Sequence, residues 1–148
     1  MKIEEEIKQT KFRSAQQKAI INLVYTTNWL FTRQQEFLKP FGITSQQFNI
    51  LRILRGQHPK SISGTEIKSR MLDKNSDVSR LLDRLALKEL LTKTVCPKDK
   101  RAVDVTITDE GMKVLQTIDK NADDMDNLLD LTEEEAATFS DLLDKARS

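Results

Sequence analysis

The strongest chemical signal in the sequence is a set of five cations in two short segments. Arg80 and Arg84 stand four residues apart in the run Ser76-Asp77-Val78-Ser79-Arg80-Leu81-Leu82-Asp83-Arg84-Leu85, and Lys98, Lys100 and Arg101 crowd the pentapeptide Pro97-Lys98-Asp99-Lys100-Arg101. Arginine carries a planar fork that grips a guanine edge bidentately, and serine bonds several bases. A basic loop beside them is suited to phosphates or to a minor groove. Residues for other chemistry are scarce. A single cysteine, Cys96, excludes an intramolecular disulfide and a cysteine-based zinc site, and reads as a packing residue. The single histidine, His58, precedes Pro59 and reads as a solvated loop residue. Glu133, Glu134 and Glu135 suit the N-terminal turn of a helix better than a metal cluster. There is no glycine-rich phosphate loop, nucleophile motif or metal-ligand spacing. The expectation is therefore no catalysis, no cofactor and no metal.

These cations need elements to aim them. A helix from about Asn75 to Lys88 puts Val78, Leu81, Leu82 and Leu85 on one apolar stripe. Ser76, Ser79, Arg80 and Asp83 then share the opposite face, with Asp77 and Arg84 on its flank. Leu90–Cys96 and Val103–Ile107 read as strands, the second alternating Val103, Val105 and Ile107 with Asp104 and Thr106. Residues 97–101 are the turn between them. Upstream, a breaker-free stretch from Lys11 to Leu38 carries Ile20, Leu23, Val24, Leu30, Phe31, Phe37 and Leu38 at helical spacing. Pro40 and Gly42 end it. Thr44 and Ser45 cap a second helix with Phe48, Leu51 and Leu54 inward, residues 61–64 form a turn, and Ser63 or Thr65 opens a short third helix with Ile67 and Met71. After the hairpin, Thr108 caps a fifth helix running through Val114, Leu115, Ile118, Met125, Leu128 and Leu129. Thr132 with Glu135 is a capping box for the last one. Helix, short helix, helix and basic-tipped hairpin make a winged helix-turn-helix in a mainly α chain.

The 148 residues suit one domain, and four glycines with three prolines suit long helices. The formal net charge of +1 conceals segregation: +3 over residues 1–51, +7 over 52–101 and −9 over 102–148. A basic middle beside an acidic tail suits one module that meets a polyanion and another that does not, although solvated helix faces explain charge alone equally well. The first residues contain neither an apolar signal core nor a membrane-spanning run, so the expectation is a cytoplasmic chain with no membrane partner.

At this point the sequence resembles the multiple-antibiotic-resistance regulator (MarR) family of bacterial transcription factors. The resemblance runs from about Gly42 through Gly111 and rests on residues 76–85, on Pro97-Lys98-Asp99-Lys100-Arg101 and on Val105-Thr106-Ile107-Thr108-Asp109-Glu110-Gly111. It implies that the first segment is the recognition helix, that Asp99-Lys100-Arg101 marks the wing, and that the third joins the wing to a long helix. Two positions depart from the family pattern: Glu89 stands where a glycine is usual after the recognition helix, and Lys93 where an arginine is common in the following strand.

The resemblance implies a homodimeric regulator of double-stranded DNA, a repressor released by a small aromatic or anionic effector. Residues 42–111 would form the DNA-binding lobe, and residues 1–41 and 112–148 the dimerisation helices. Ser76, Asp77, Ser79, Arg80, Arg84, Lys98, Lys100 and Arg101 are the candidate DNA contacts, with Asp99 orienting Arg101. Trp29, Phe31 and Phe37 read as core or dimer interface, and the resemblance adds a second reading in which Tyr25 and Trp29 line an effector cleft between the dimerisation helices and the DNA-binding lobe. The rival reading is a winged helix that serves only protein–protein contact.

Overall fold

A computed structural model describes the backbone of residues 1–148 and the side chains of all of them except Cys96, Lys100 and Arg101. Helix α1 (Ile3–Glu6) leads to the long α2 (Ala15–Leu38). A 3-10 turn over Lys39–Phe41 follows, then α3 (Ser45–Gln57), the short strand β1 (Ile62–Ser63), α4 (Gly64–Arg70) and α5 (Val78–Leu87). The hairpin β2 (Leu91–Cys96) and β3 (Asp99–Ile107) precedes α6 (Asp109–Asp119), α7 (Ala122–Asp126) and α8 (Glu133–Arg147).

The helix starts follow their caps. Ser14, Thr44, Ser63, Asp77, Thr108 and Thr132 each accept a backbone N–H of the first turn they open. Thr44 with Gln47 and Thr132 with Glu135 are reciprocal capping boxes. Helix α2 thus begins at Ala15, after its serine cap, rather than at Lys11. It ends where Pro40 tightens the chain and Gly42 turns it at a φ of 73°.

The core belongs to the middle of the chain. Ile50, Leu51 and Leu54 of α3, Ile67 of α4, Leu82 and Leu85 of α5, Val105 of β3 and Leu115 of α6 are almost wholly excluded from solvent. The sheet order is β1-β3-β2, all antiparallel, with Leu91 opposite Ile107 and Ile62 opposite Val105. Residues 61–64, expected as a turn, therefore contribute a third strand. Two residues are too few for any periodicity, and the pairing with β3 alone defines them. The hairpin turn is also shorter than expected. It is Pro97-Lys98, and β3 begins at Asp99, with a register shift between Val95 and Cys96 next to the tip.

The expected fifth helix is interrupted. Helix α6 stops at Asp119, and α7 covers only Ala122–Asp126. Asn121 donates its side-chain amide to the Thr117 carbonyl at 3.2 Å, and Asn127 does the same to Asp123 at 3.1 Å. Asparagine competes in this way with backbone bonding and favours breaks. Among the described residues, no helix is long and apolar enough to cross a membrane.

Candidate nucleic-acid interface

Helix α5 is amphipathic in the manner its sequence dictates. Val78, Leu81, Leu82 and Leu85 are buried, while Ser79, Arg80, Asp83 and Arg84 are exposed. Among the described residues neither Arg80 nor Arg84 has a carboxylate partner, so both guanidinium forks are available to a ligand. Asp83 differs, because Lys93 of β2 forms an ion pair with it. That contact joins the helix to the hairpin and makes Lys93 a brace between them.

Ser76 is not on the outer face, whereas Asp77 is exposed at the start of the helix. The helix starts two residues later than Ser76, at Val78, because the Asp77 carboxylate caps it by accepting the Arg80 N–H at 3.2 Å. Ser76 is 4% exposed, and its hydroxyl accepts a bond from the Gln46 side-chain amide at 3.3 Å. Both residues hold the helix, Ser76 from a buried position and Asp77 as an exposed cap. A helical wheel extended to Asn75 could not show this, since Ser76 and Asp77 are both good caps and only the backbone distinguishes them.

The far end of α5 closes in a Schellman motif. The Glu89 N–H bonds the Ala86 carbonyl at 3.0 Å and the Leu90 N–H bonds Leu85 at 3.1 Å. Glu89 adopts the left-handed conformation at a φ of 61°, so the helix end expected from a glycine forms without one. Its carbonyl accepts the Thr108 hydroxyl at 2.7 Å, tying the end of α5 to the start of α6.

Lys98 is exposed at the hairpin turn. Lys100 and Arg101 lie outside the residues whose side chains are described, and so does the packing role expected of Cys96. The pairing expected between Asp99 and Arg101 falls there too. Three residues that the sequence did not mark as DNA contacts lie at the same edge. Thr65 and Lys68 of α4, with Asn75, line a hollow beside Ser79 at the N-terminal end of α5. Their polar types gave a signal, but only the angle between α4 and α5 brings them to that edge.

Tyr25 and Trp29 do come together, in a hollow of about 530 Å³ covered by the N-terminal segment, not between α2 and the helix-turn-helix. The Tyr25 hydroxyl donates to Glu6 at 2.6 Å, which raises its pKa above the ordinary tyrosine value. A different hollow, of about 110 Å³, lies between α2, α3 and the turn before α5. Phe31, Leu38, Phe48, Met71 and Met125 give it an apolar lining, and Arg52 and Asn49 stand at its wall. The Ser45 hydroxyl is buried there without a hydrogen-bond partner among the described residues. Also among those residues, no group of three or more metal-ligating side chains converges.

Comparison with known proteins places this geometry among relatives. The sequence model of the MarR family matches residues 43–103. The chain is 37% identical over 76 residues to the HTH-type transcriptional repressor MdtR of Bacillus subtilis, covering 51% of this chain and 48% of that protein, and so spans about half the length of that relative. It is 32% identical over 127 residues to the multiple antibiotic resistance protein MarR of Salmonella typhimurium, covering 83% of this chain and 87% of that one. A crystal structure of a MarR mutant from E. coli complexed with operator DNA matches the fold with a TM-score of 0.72 at 27% identity, covering 99% of both chains.

Proposed function

The chain belongs to the MarR family, and from that premise we propose that it is a sequence-specific, double-stranded-DNA-binding transcriptional regulator, a homodimer acting as a repressor. The observation that carries this reading is the outer face of α5. Two exposed guanidiniums without carboxylate partners among the described residues stand beside a short hydroxyl side chain, and a basic hairpin is braced against the same helix. Ser79, Arg80 and Arg84 read base edges in the major groove, and Lys98, Lys100 and Arg101 meet phosphate or the minor groove. Asp99 orients Arg101, because a free carboxylate would be repelled by DNA. Ser76 acts from behind, as a support of the helix, and Asp77 caps the helix from an exposed position that also faces the DNA.

The homodimer is supported by apolar faces that one protomer leaves open. Ile20, Leu23 and Val24 of α2 and Phe139 and Leu142 of α8 are exposed, and soluble monomers rarely leave such faces uncovered. Residues 1–41 and 112–148 supply those faces, whereas residues 42–111 form the DNA-binding lobe. A small aromatic or anionic effector that releases DNA fits the hollow under Phe31 and Met71 better than the one at Tyr25 and Trp29. Only the former touches both α2 and the turn that leads into α5.

Titration of a random-sequence 30-base-pair duplex at increasing salt tests the reading against a module that binds only protein. Neutralised phosphates release counterions, so affinity falls steeply with salt. Affinity that is absent, or indifferent to salt, contradicts DNA binding.

A further inference from the structure

Helix α5 is braced to β2 by the Lys93–Asp83 ion pair and to α6 by the Thr108 hydroxyl at Glu89, and it is also fastened at both ends to α3. Its apolar stripe packs on the core through hydrophobic contact, an attraction that is itself non-directional. Further directional bonds, at the two ends of α5, come from the first turns of α3. Gln46 donates its side-chain amide to the Asp73 carboxylate and to the Ser76 hydroxyl, both at 3.3 Å, and Asn49 accepts the Leu72 N–H at 2.9 Å. Asp73 in turn accepts the Asn75 N–H at 2.9 Å, and the Ser76 N–H bonds the Asp73 carbonyl at 3.2 Å. The turn that ends at the α5 cap is thus fastened to α3. At the other end, Lys88, the residue after α5, bonds the Gly42 carbonyl at 2.5 Å and the Gln47 side-chain oxygen at 3.2 Å. Gln47 is 3% exposed and also accepts the Thr44 N–H at 3.1 Å, so it is anchored by the α3 cap itself.

Gln46 and Gln47 are neighbours in sequence and point about 100° apart around the helix. One reaches the lead-in to α5 and the other its exit. Asn49 lies one helical step from Gln46, on the same side. We propose that Gln46, Gln47 and Asn49 are positioning residues that fix the tilt and rotation of α5, and through it base discrimination, without touching DNA. The inference rests on the reading of α5 as the helix that enters the major groove. It differs from a general role in folding, because Gln46 and Asn49 are only half-buried and their bonds fasten a surface turn. Loss of these bonds leaves the phosphate contacts in place and blurs the aim of Ser79, Arg80 and Arg84.

The test uses the full-length protein and two duplexes: one recovered from a genomic-fragment library by selection with the wild-type protein, and a scrambled duplex of equal composition. Gln46→Ala and Asn49→Ala each lower affinity for the selected duplex roughly fivefold to tenfold, with affinity for the scrambled one unchanged. Gln46→Glu faces Asp73 with a second carboxylate and loses more. The double variant Gln46→Glu/Asp73→Asn reverses donor and acceptor and restores discrimination. Asn49→Asp keeps the acceptor for the Leu72 N–H and stays close to wild type, so the proposal remains testable where the alanine variant unfolds. An unchanged ratio between the duplexes in Gln46→Ala and Gln46→Glu, or an equal loss on both duplexes, overturns the proposal. A wild-type protein that prefers no duplex overturns instead the DNA-binding reading beneath it.

Discussion

Arg80 and Arg101 are expected to differ in kind. Arg80 sits on the outer face of α5 with no carboxylate partner among the described residues, where a bidentate grip on a base is its strongest use. Arg80→Ala should cost about 1–3 kcal/mol on a selected site and less on random duplex. Arg101→Ala should weaken both duplexes alike and make the salt dependence shallower, the signature of a lost phosphate contact. Fluorescence-anisotropy titrations with the two duplexes at several salt concentrations distinguish these patterns, and equal losses for Arg80→Ala would place that arginine on phosphate. Glu89 makes a second residue-scale prediction. It holds a left-handed φ of 61° that disfavours a side chain by about 1–2 kcal/mol, partly offset in glycine by its greater unfolded-state freedom. Glu89→Gly should therefore stabilise the fold by about 0.5–1 kcal/mol, read as a higher urea midpoint with an unchanged slope. At this scale the sequence was a good guide wherever periodicity applied, as in the stripe of Val78, Leu81, Leu82 and Leu85. It misplaced Ser76, because adjacent serine and aspartate are both competent caps and the choice between them depends on the Gln46 amide, which comes from another helix.

The elements depend on a few close approaches. Gly111 lies in the first turn of α6, where a Cβ would stand 2.3 Å from the Leu90 carbonyl oxygen and 2.7 Å from Ile107 Cγ1. Alanine is favoured over glycine in a helix interior by about 1 kcal/mol. A backbone oxygen at that distance cannot yield as a flexible side chain would, so overpacking wins, at a cost of about 1–3 kcal/mol. Gly111→Ala should lower the melting temperature, and a rise would mean that α6 sits farther from the hairpin. The junction matters because Thr108 connects both elements: its hydroxyl donates to Glu89 and accepts the Gly111 N–H at 3.1 Å. Element order was legible because caps are local. Three features were not, the short α1 among them. Strand β1 exists only through pairing with Val105 and Asp104, and the break after α6 turns on whether Asn121 bonds outward or back to Thr117.

At the scale of the whole molecule, the core spans residues 38–118, while α8 buries no residue and α2 buries only Leu38. Helices that keep Ile20, Val24 and Leu142 more than half exposed need another surface. Sedimentation velocity at micromolar concentration should give a dimer. Leu142→Asp should shift it to monomer and weaken DNA binding, since a single lobe loses the gain of two linked half-sites. A wild-type monomer with full DNA affinity would show that the faces serve another partner. Charge fits the same division: the net −9 of residues 102–148 is repelled by phosphate, so a dimer that carries it away from DNA disfavours wrong-way docking.

The most direct test of the account is selection of genomic fragments with the purified protein, followed by footprinting of whatever is enriched. Two α5 helices related by a dimer axis predict an inverted repeat with half-site centres one helical turn apart, about 34–36 Å, or a multiple of it. The protected bases should face the major groove at each half-site, with flanking protection from the wings. Failure to enrich any fragment, or a protected site without two-fold symmetry, contradicts the claim that this chain reads DNA as a symmetric pair of winged helices.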